Sequence, residues 1–498
     1  MTTTFGETAV DAGNPYLSGN WAPVRREITA TDLDVTGCIP EYLDGRYLRV
    51  GPNPLGDPDP SRYHPFLGEG MVHGLRLRDG KAQWYRNRWV RSADMSRRLG
   101  ERWPGGPHDG GFDFATNTNV IGHGGRTLAL TEAGVRPYEL SDDLETVGPS
   151  DFCGTLFAGY TAHPKRDPVS GELHAVSYNP MQGSLIRYTV TGVDGKVRRR
   201  VDIKLNAQTM MHDFSLTERY VVLYDLPVAL DFSAATSRRP AKALARWLTR
   251  VVERHAAPDF VLRAAMRGSE RGGPPNLPLP YRWAPERKAQ VGVMPREGTA
   301  ADIRWFEVQP CYVFHPLNAF DDGNKLVLDV VRHPKIFASA TEPIPDTQSL
   351  DRWTVDLTTG SVTEERLDDT SQEFPRVDER LVGRRHRYGY AVGYAPGWAA
   401  LTAPDVILKH DVLTQSTRAA SFGAGREPSE FVFVPSAADA AEDDGVAMGF
   451  VYDRTTDRSD LVLLDAQTLE AVATVHLPAR VPNGFHGNWV PTGANIAQ

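Results

Sequence analysis

Short β-rich runs closed by tight-turn residues recur from residue 47 almost to the end of the chain, and that recurrence leaves few folds open to it. Residues 47–54 read YLRVGPNP, a strand ending in a Gly-Pro turn, and residues 70–91 are two strands about the hairpin pair Asp79-Gly80. The same grammar returns in SLIRYTVTGVDGKVRRRVDIKL around Asp194-Gly195 and in RWTVDLTTGSVTEERL around Thr359-Gly360. So many hairpins with few helices make an all-β chain, and a β-propeller or a large barrel would absorb them. The propeller is favoured, because a sandwich does not need this many hairpins. No Trp-Asp or kelch repeat sets the number of blades.

Length alone, at 498 residues, would allow about three domains, but repeated sheets can close into one body and composition does not divide the chain. The expectation is one domain over residues 14–498 behind a flexible segment 1–13. A formal charge of −8 offers no basic field for nucleic acid. Cys38, Cys153 and Cys311 are odd in number and far apart, which fits neither a disulfide framework nor a Cys-x-x-Cys metal site and suits a reducing cytosol. The N-terminus lacks the charged and apolar regions of a secretory signal, and no run reaches the ~18 apolar residues of a membrane span. The sequence therefore reads as a soluble, cytoplasmic protein with room for peripheral membrane contact.

One region breaks the β pattern. A helical insertion is expected at about residues 236–270, where AKALARWLTRVVERHA sets Leu244, Trp247, Leu248, Val251 and Val252 on one helical face. Lys242, Arg246, Arg250 and Arg254 recur on the other side. A basic amphipathic helix of this kind either packs on the β body or lies in a membrane interface, and both readings stand.

No Gly-rich phosphate loop, Gly-x-Ser-x-Gly elbow or His-Glu-x-x-His is present, so histidine is what remains to carry chemistry. His163, His212, His315 and His486 each adjoin a strand-like run. His315, in CYVFHPLNAF, is placed at the end of an apolar strand with a turn to follow, on stiff backbone that suits a metal ligand. Their separations, 49 to 171 residues, do not establish that they meet. His-Pro also occurs at His64 and His333, and a lone histidine is more often a hydrogen-bonded structural residue than a ligand. Glu132, Glu373 and Glu430 sit among apolar strand residues, where a buried carboxylate needs a partner such as the N–H of a ligating imidazole.

At these residues the sequence resembles the carotenoid cleavage oxygenase family. The resemblance runs from about residue 14 to the last ten residues and includes YLRVGPNP, GEGMVHG, YRNRWVR, NTNV, LTEAG, EFPRVD, PSEFVFVP and AEDDGV in that order. It implies a seven-bladed β-propeller under a dome of loops and helices, with one Fe(2+) per chain on the axis and O2 as co-substrate. Carried over position by position, His163, His212, His315 and His486 match the iron ligands. Glu132, Glu373 and Glu430 match carboxylates behind His212, His315 and His486, which leaves His163 without a carboxylate partner. Thr118 matches a residue that crowds one open coordination position in some members.

The implied reaction is dioxygenase cleavage of a conjugated C=C bond in a carotenoid or apocarotenoid, an apolar polyene, to two carbonyl products. The alternatives within the resemblance are a stilbene-cleaving dioxygenase and a polyene-binding or isomerising protein that does not cleave. Stilbene-cleaving relatives carry a lysine immediately before the first of these glutamates. Here that position is Thr131, a candidate tunnel residue whose hydroxyl supplies no positive charge. Related enzymes also carry an apolar patch near the tunnel mouth, which tilts the helix around Trp247 toward monotopic membrane contact.

Overall fold

Seven sheets of four to six strands stand around one axis in a computed structural model of the chain, and an eighth, two-stranded sheet lies outside that ring. The structure describes residues 14–493 apart from 61–62, 107–112, 114, 158, 181, 232, 234–242, 244–245, 248, 250–280, 339–347 and 395–403. The innermost strands, in ring order, are Gly487–Pro491, Asn119–His123, Lys165–Arg166, Phe214–Leu216, Pro316–Asp322, Gln372–Arg376 and Val432–Pro435. We number the blades 1 to 7 in that order. The propeller favoured from the hairpins is the architecture found, with the seven blades that the family resemblance implies.

Local sequence explains the hairpins. Asp79 and Gly80 both take positive φ, 52° and 66°, between the paired residues Arg78 and Lys81, the backbone that a two-residue turn matched to strand twist requires. Strands differ with depth. Gly45–Pro52, one in from the axis in blade 1, is buried along its whole length, whereas Val197–Lys204 at the rim of blade 3 alternates between half-buried and exposed over most of its length.

Neighbouring blades pack face to face through apolar clusters. Leu48, Val50 and Val72 of blade 1 meet Val120, Ala129 and Tyr138 of blade 2. Tyr188 of blade 3, Phe214 and Val222 of blade 4, and Leu328 and Trp353 of blade 5 share one larger core. Truncating the fully buried Trp353 to alanine would cost about 3–5 kcal/mol on this count. The ring closes from both ends of the chain. Gly487–Pro491 pairs antiparallel with Gly45–Pro52 in blade 1, and Val35–Gly37 pairs with Ala471–His476 at the rim of blade 7. Closure protects edges that an open sheet would leave unpaired.

Two sequence expectations meet the structure differently. The apolar run Cys311–His315 is not itself a strand: among these residues only Tyr312 makes an isolated bridge, to His333, and the strand begins at Pro316. His315 therefore stands at the start of an innermost strand rather than at the end of one. Pro316 has no N–H to donate, and a bulge between Pro316 and Asn318 shifts the register there. The expected insertion leaves blade 4 between its second strand, Tyr220–Asp225, and its third, Gln290–Pro295, flanked by the two-stranded sheet of Val228–Leu230 and Tyr281–Trp283. Within it Ala243, Arg246, Trp247 and Thr249 are helical, with Trp247 57% exposed and Thr249 buried. Leu244, Leu248, Val251 and Val252 lie outside the described residues. Among the described residues, no helix is long and apolar enough to cross a membrane.

Candidate metal centre

Each innermost strand contributes one residue at its axial entry, and the seven of them form the site. Thr118, His315 and His486 immediately precede their strands, His163, His212 and Glu430 stand two residues before theirs, and Glu373 is the second residue of its own. Going round the ring from blade 1, the order is His486, Thr118, His163, His212, His315, Glu373, Glu430. Glu132 is added from the end of the second strand of blade 2, Arg126–Leu130.

The four imidazoles crowd one point. Ring centroids lie 4.4 Å apart for His163 and His212, 4.7 Å for His163 and His486, 4.9 Å for His212 and His315, and 4.8 Å for His315 and His486. Nε2 of His212 and Nε2 of His315 face each other at 3.1 Å, and ligand atoms of His163, His315 and His486 all fall within 4.8 Å of one another. Nε2 of His163 is buried and has no hydrogen-bond partner among the described residues. An unpaired ring nitrogen among inward-facing imidazoles is what a shared metal ion would satisfy.

Behind the rings stand carboxylates. Nδ1 of His315 donates to Oε2 of Glu373 at 2.6 Å, Nδ1 of His486 to Oε1 of Glu430 at 3.0 Å, and Nδ1 of His212 contacts Oε1 of Glu132. A partner on Nδ1 fixes the tautomer and turns Nε2 inward. His163 has no carboxylate within hydrogen-bond reach; Glu132 lies 3.7 Å from its Nε2 and Asp213 4.0 Å from its Nδ1. Phe374 stacks on His315 at 5.6 Å, and Phe314 meets His212 edge-on at 5.1 Å, so packing also limits ring rotation. Gly487, next to His486, has no room for a side chain, because a Cβ there would lie 2.8 Å from the carbonyl oxygen of Leu48.

The fields at the site keep His163 and His486 neutral and Glu132 and Glu373 anionic, and act the other way on His315 and Glu430. Burial, reinforced by His212 for His163 and by His315 for His486, pushes the proton affinity of those two rings well below that of an ordinary imidazole. Burial also opposes protonation of His315, but Glu373 outweighs it and raises its affinity for a proton, so this part of the axis attracts positive charge. Burial resists ionisation of Glu132 and Glu373, yet His212 for the first and His315 with His333 for the second hold both below the usual carboxylate range. Burial lifts Glu430 instead, against the pull of Arg376 and the Gly487 N–H.

Several participants carried no sequence signal. His333, set aside as an unremarkable His-Pro, donates from Nε2 to Oε1 of Glu373 at 2.7 Å. Arg376 stands 3.3 Å from Glu430, Lys165 pairs with Asp213 at 3.0 Å, and the Tyr178 hydroxyl donates to Oε2 of Glu132 at 3.0 Å. The available hint for His333 was the turn at Asp321-Asp322-Gly323, which folds residue 333 back beside residue 312. Thr118 and Thr131 lie together, their hydroxyls 3.5 Å apart, and Thr118 accepts the backbone N–H of His486 at 2.9 Å. A cavity of about 340 Å³ runs along the axis, bordered by His163, His315 and His486 and by residues of all seven innermost strands.

This arrangement has counterparts. The family described as retinal pigment epithelial membrane protein matches residues 21–491. A carotenoid cleavage oxygenase of Mycobacterium tuberculosis is 52% identical, over 97% of this chain and 99% of its own. Among solved structures, lignostilbene dioxygenase of Pseudomonas brassicacearum superposes with a TM-score of 0.80 at 28% identity, covering 98% of this chain and 100% of that one. Cobalt-substituted ACO of Synechocystis gives 0.76 at 26% identity, over 94% and 97%.

Proposed function

The chain belongs to the carotenoid oxygenase family, and on that premise we propose that it is a dioxygenase in which His163, His212, His315 and His486 hold one ferrous ion. The observation that carries the reading is the convergence of those rings from separate blades, three of them backed by carboxylates. Charge supports a dication. Glu430 is already countered by Arg376 and Asp213 by Lys165, which leaves, among the described residues, the half-buried Glu132 and the buried Glu373 behind the rings without a cationic side chain against them. Imidazoles with carboxylates held one layer back suit iron, and in His212, His315 and His486 the carboxylate takes Nδ1 and leaves Nε2 to bind it.

The ferrous ion would supply activation of O2 at the coordination positions that the histidines leave open. The remaining work falls to the chain. The carboxylates keep Nδ1–H of His212, His315 and His486 paired and their Nε2 directed inward, while Phe314 packs on His212 and Phe374 on His315 and His486. Thr118 and Thr131 form a small hydroxyl-bearing wall beside His486 and Glu132. The proposed substrate is a carotenoid or apocarotenoid. Scission of one conjugated C=C bond places one atom of O2 in each of two carbonyl products, so no reductant is needed. Stilbene cleavage is the second reading, motivated by the likeness to lignostilbene dioxygenase, and Thr131 weighs against it.

Iron-loaded protein incubated under 18O2 with a panel of dispersed carotenoids, apocarotenals and hydroxystilbenes tests the assignment. Labelled aldehydes from a polyene are expected. Isomerised but uncleaved polyene, or cleavage of stilbenes alone, would overturn it.

A further inference from the structure

We propose that His333 is a positioning residue of the metal centre, acting through Glu373 on His315; the inference rests on the reading of the axial histidines as iron ligands. The carboxylate of Glu373 is held between two rings, with Oε2 accepting from Nδ1 of His315 at 2.6 Å and Oε1 accepting from Nε2 of His333 at 2.7 Å. The backbone N–H of Phe374 adds a further donor to Oε2 at 2.6 Å. All three side chains are buried, His333 completely.

The direction of the outer hydrogen bond follows from what His333 lacks. Its Nδ1 is buried without a partner among the described residues, so a proton there would be an unpaired N–H in the interior. The ring is therefore the neutral tautomer that carries its proton on Nε2, a fixed donor. Glu373 then receives donors on both oxygens and stays an anionic acceptor. Without the outer donor, Oε1 would be a buried, unsatisfied charge, and the carboxylate would be free to rotate or to draw the proton of His315 toward itself.

His333 is also fixed in space relative to His315. Tyr312 and His333 exchange both backbone hydrogen bonds at 2.8 Å, and the N–H of Val331 donates to the carbonyl of His315 at 3.1 Å. The Phe314 ring fills the space between, 5.1 Å from His333 and 5.1 Å from His212. The hairpin that carries the ligand thus carries the group that orients its carboxylate. The other two carboxylates have different outer donors, Tyr178 on Glu132 and Arg376 with Gly487 on Glu430.

The test replaces His333 in the full-length, iron-loaded protein and follows loss of ferrous iron to a colorimetric chelator, together with the midpoint potential of the iron. His333→Leu removes the donor and is expected to speed iron release about tenfold, the lower end of what loss of a ligand's own partner does, and to shift the potential. His333→Gln, whose amide N–H reaches the position of Nε2, is expected to restore both to within about twofold of the parent. Should His333→Leu not fold, His333→Asn, too short to reach Glu373, takes its place. Parental iron retention in the Leu or Asn variant would overturn the proposal, as would equal loss in the Gln variant. A parent protein that holds no iron would instead overturn the reading of the site itself.

Discussion

Glu430 of blade 7 hydrogen-bonds at 3.0 Å to Nδ1 of His486, which directly precedes the C-terminal strand that closes blade 1. The same carboxylate accepts the N–H of Gly487 at 2.8 Å through its other oxygen. A proposed metal ligand is thereby tied to ring closure. Glu430→Gln is expected to weaken iron binding by about 10 to 100-fold and to reduce the rise in melting temperature that iron gives the parent. Unchanged affinity and an unchanged iron-dependent melting shift would contradict this coupling.

Nδ1 of His315 donates to Glu373 at 2.6 Å while its Nε2 faces Nε2 of His212 at 3.1 Å, so the ring is held from behind and directed at the point where its neighbours converge. Replacing it with alanine is expected to abolish both iron retention and polyene turnover. The folded state should survive, because the change lies at a strand start and not within a blade interface. Full turnover by protein stripped of metal with a chelator would refute the role.

Thr131, the position at which the family resemblance implies a lysine in stilbene-cleaving enzymes, is buried beside Thr118. The expected outcome is faster cleavage of carotenoids or apocarotenoids than of 4-hydroxystilbenes. Thr131→Lys is expected to lower polyene turnover, since it puts a longer, charged side chain at a buried position now filled by a hydroxyl against Thr118. Matched assays in which a hydroxystilbene outruns every polyene would reverse the substrate assignment.

Trp247 is 57% exposed on the helical segment that emerges from blade 4. A tryptophan so placed suits a membrane interface, and Trp247→Ser is expected to weaken liposome binding while activity on detergent-dispersed substrate persists. Liposome binding equal to the parent's would leave the segment as a packed insertion.

Acid should destabilise the fold before the carboxylates titrate. Burial holds His123, His174 and His410 down to about 4, against about 6.5 in an unfolded chain. Below pH ~6.5 the unfolded chain takes up protons that these native rings refuse, so stability falls as pH drops toward about 4 and these rings contribute no further loss beyond it. Glu132 and Glu373 act lower, because a carboxylate held down in the native state contributes fully above its unfolded value of about 4.3 and loses that contribution progressively as pH falls from there through the native value. Denaturant midpoints at pH 7.5, 5.5 and 4.5 should decline in order, and His410→Gln should flatten the decline. A midpoint that rises from pH 6.5 to 5 would contradict the assignment.

What could be read without coordinates was local. The turns at Asp79-Gly80 and Asp194-Gly195 were legible because positive φ is a demand on single residues, and the alternation of rim strands such as Val197–Lys204 was legible because their outer face meets water. The identities of His163, His212, His315, His486 and their carboxylates came from ordered motifs spread over the chain, not from spacing. Tertiary structure alone brings one residue from each innermost strand to the same level, starts the strand after His315 rather than before it, and sets His333 behind Glu373. Residues that meet on the axis are separated by one or more whole blades of sequence, and their juxtaposition depends on how seven twisted sheets pack and on a closure that joins Gly45–Pro52 to Gly487–Pro491. Such contacts depend on the whole ring, so no window of neighbouring residues encodes them.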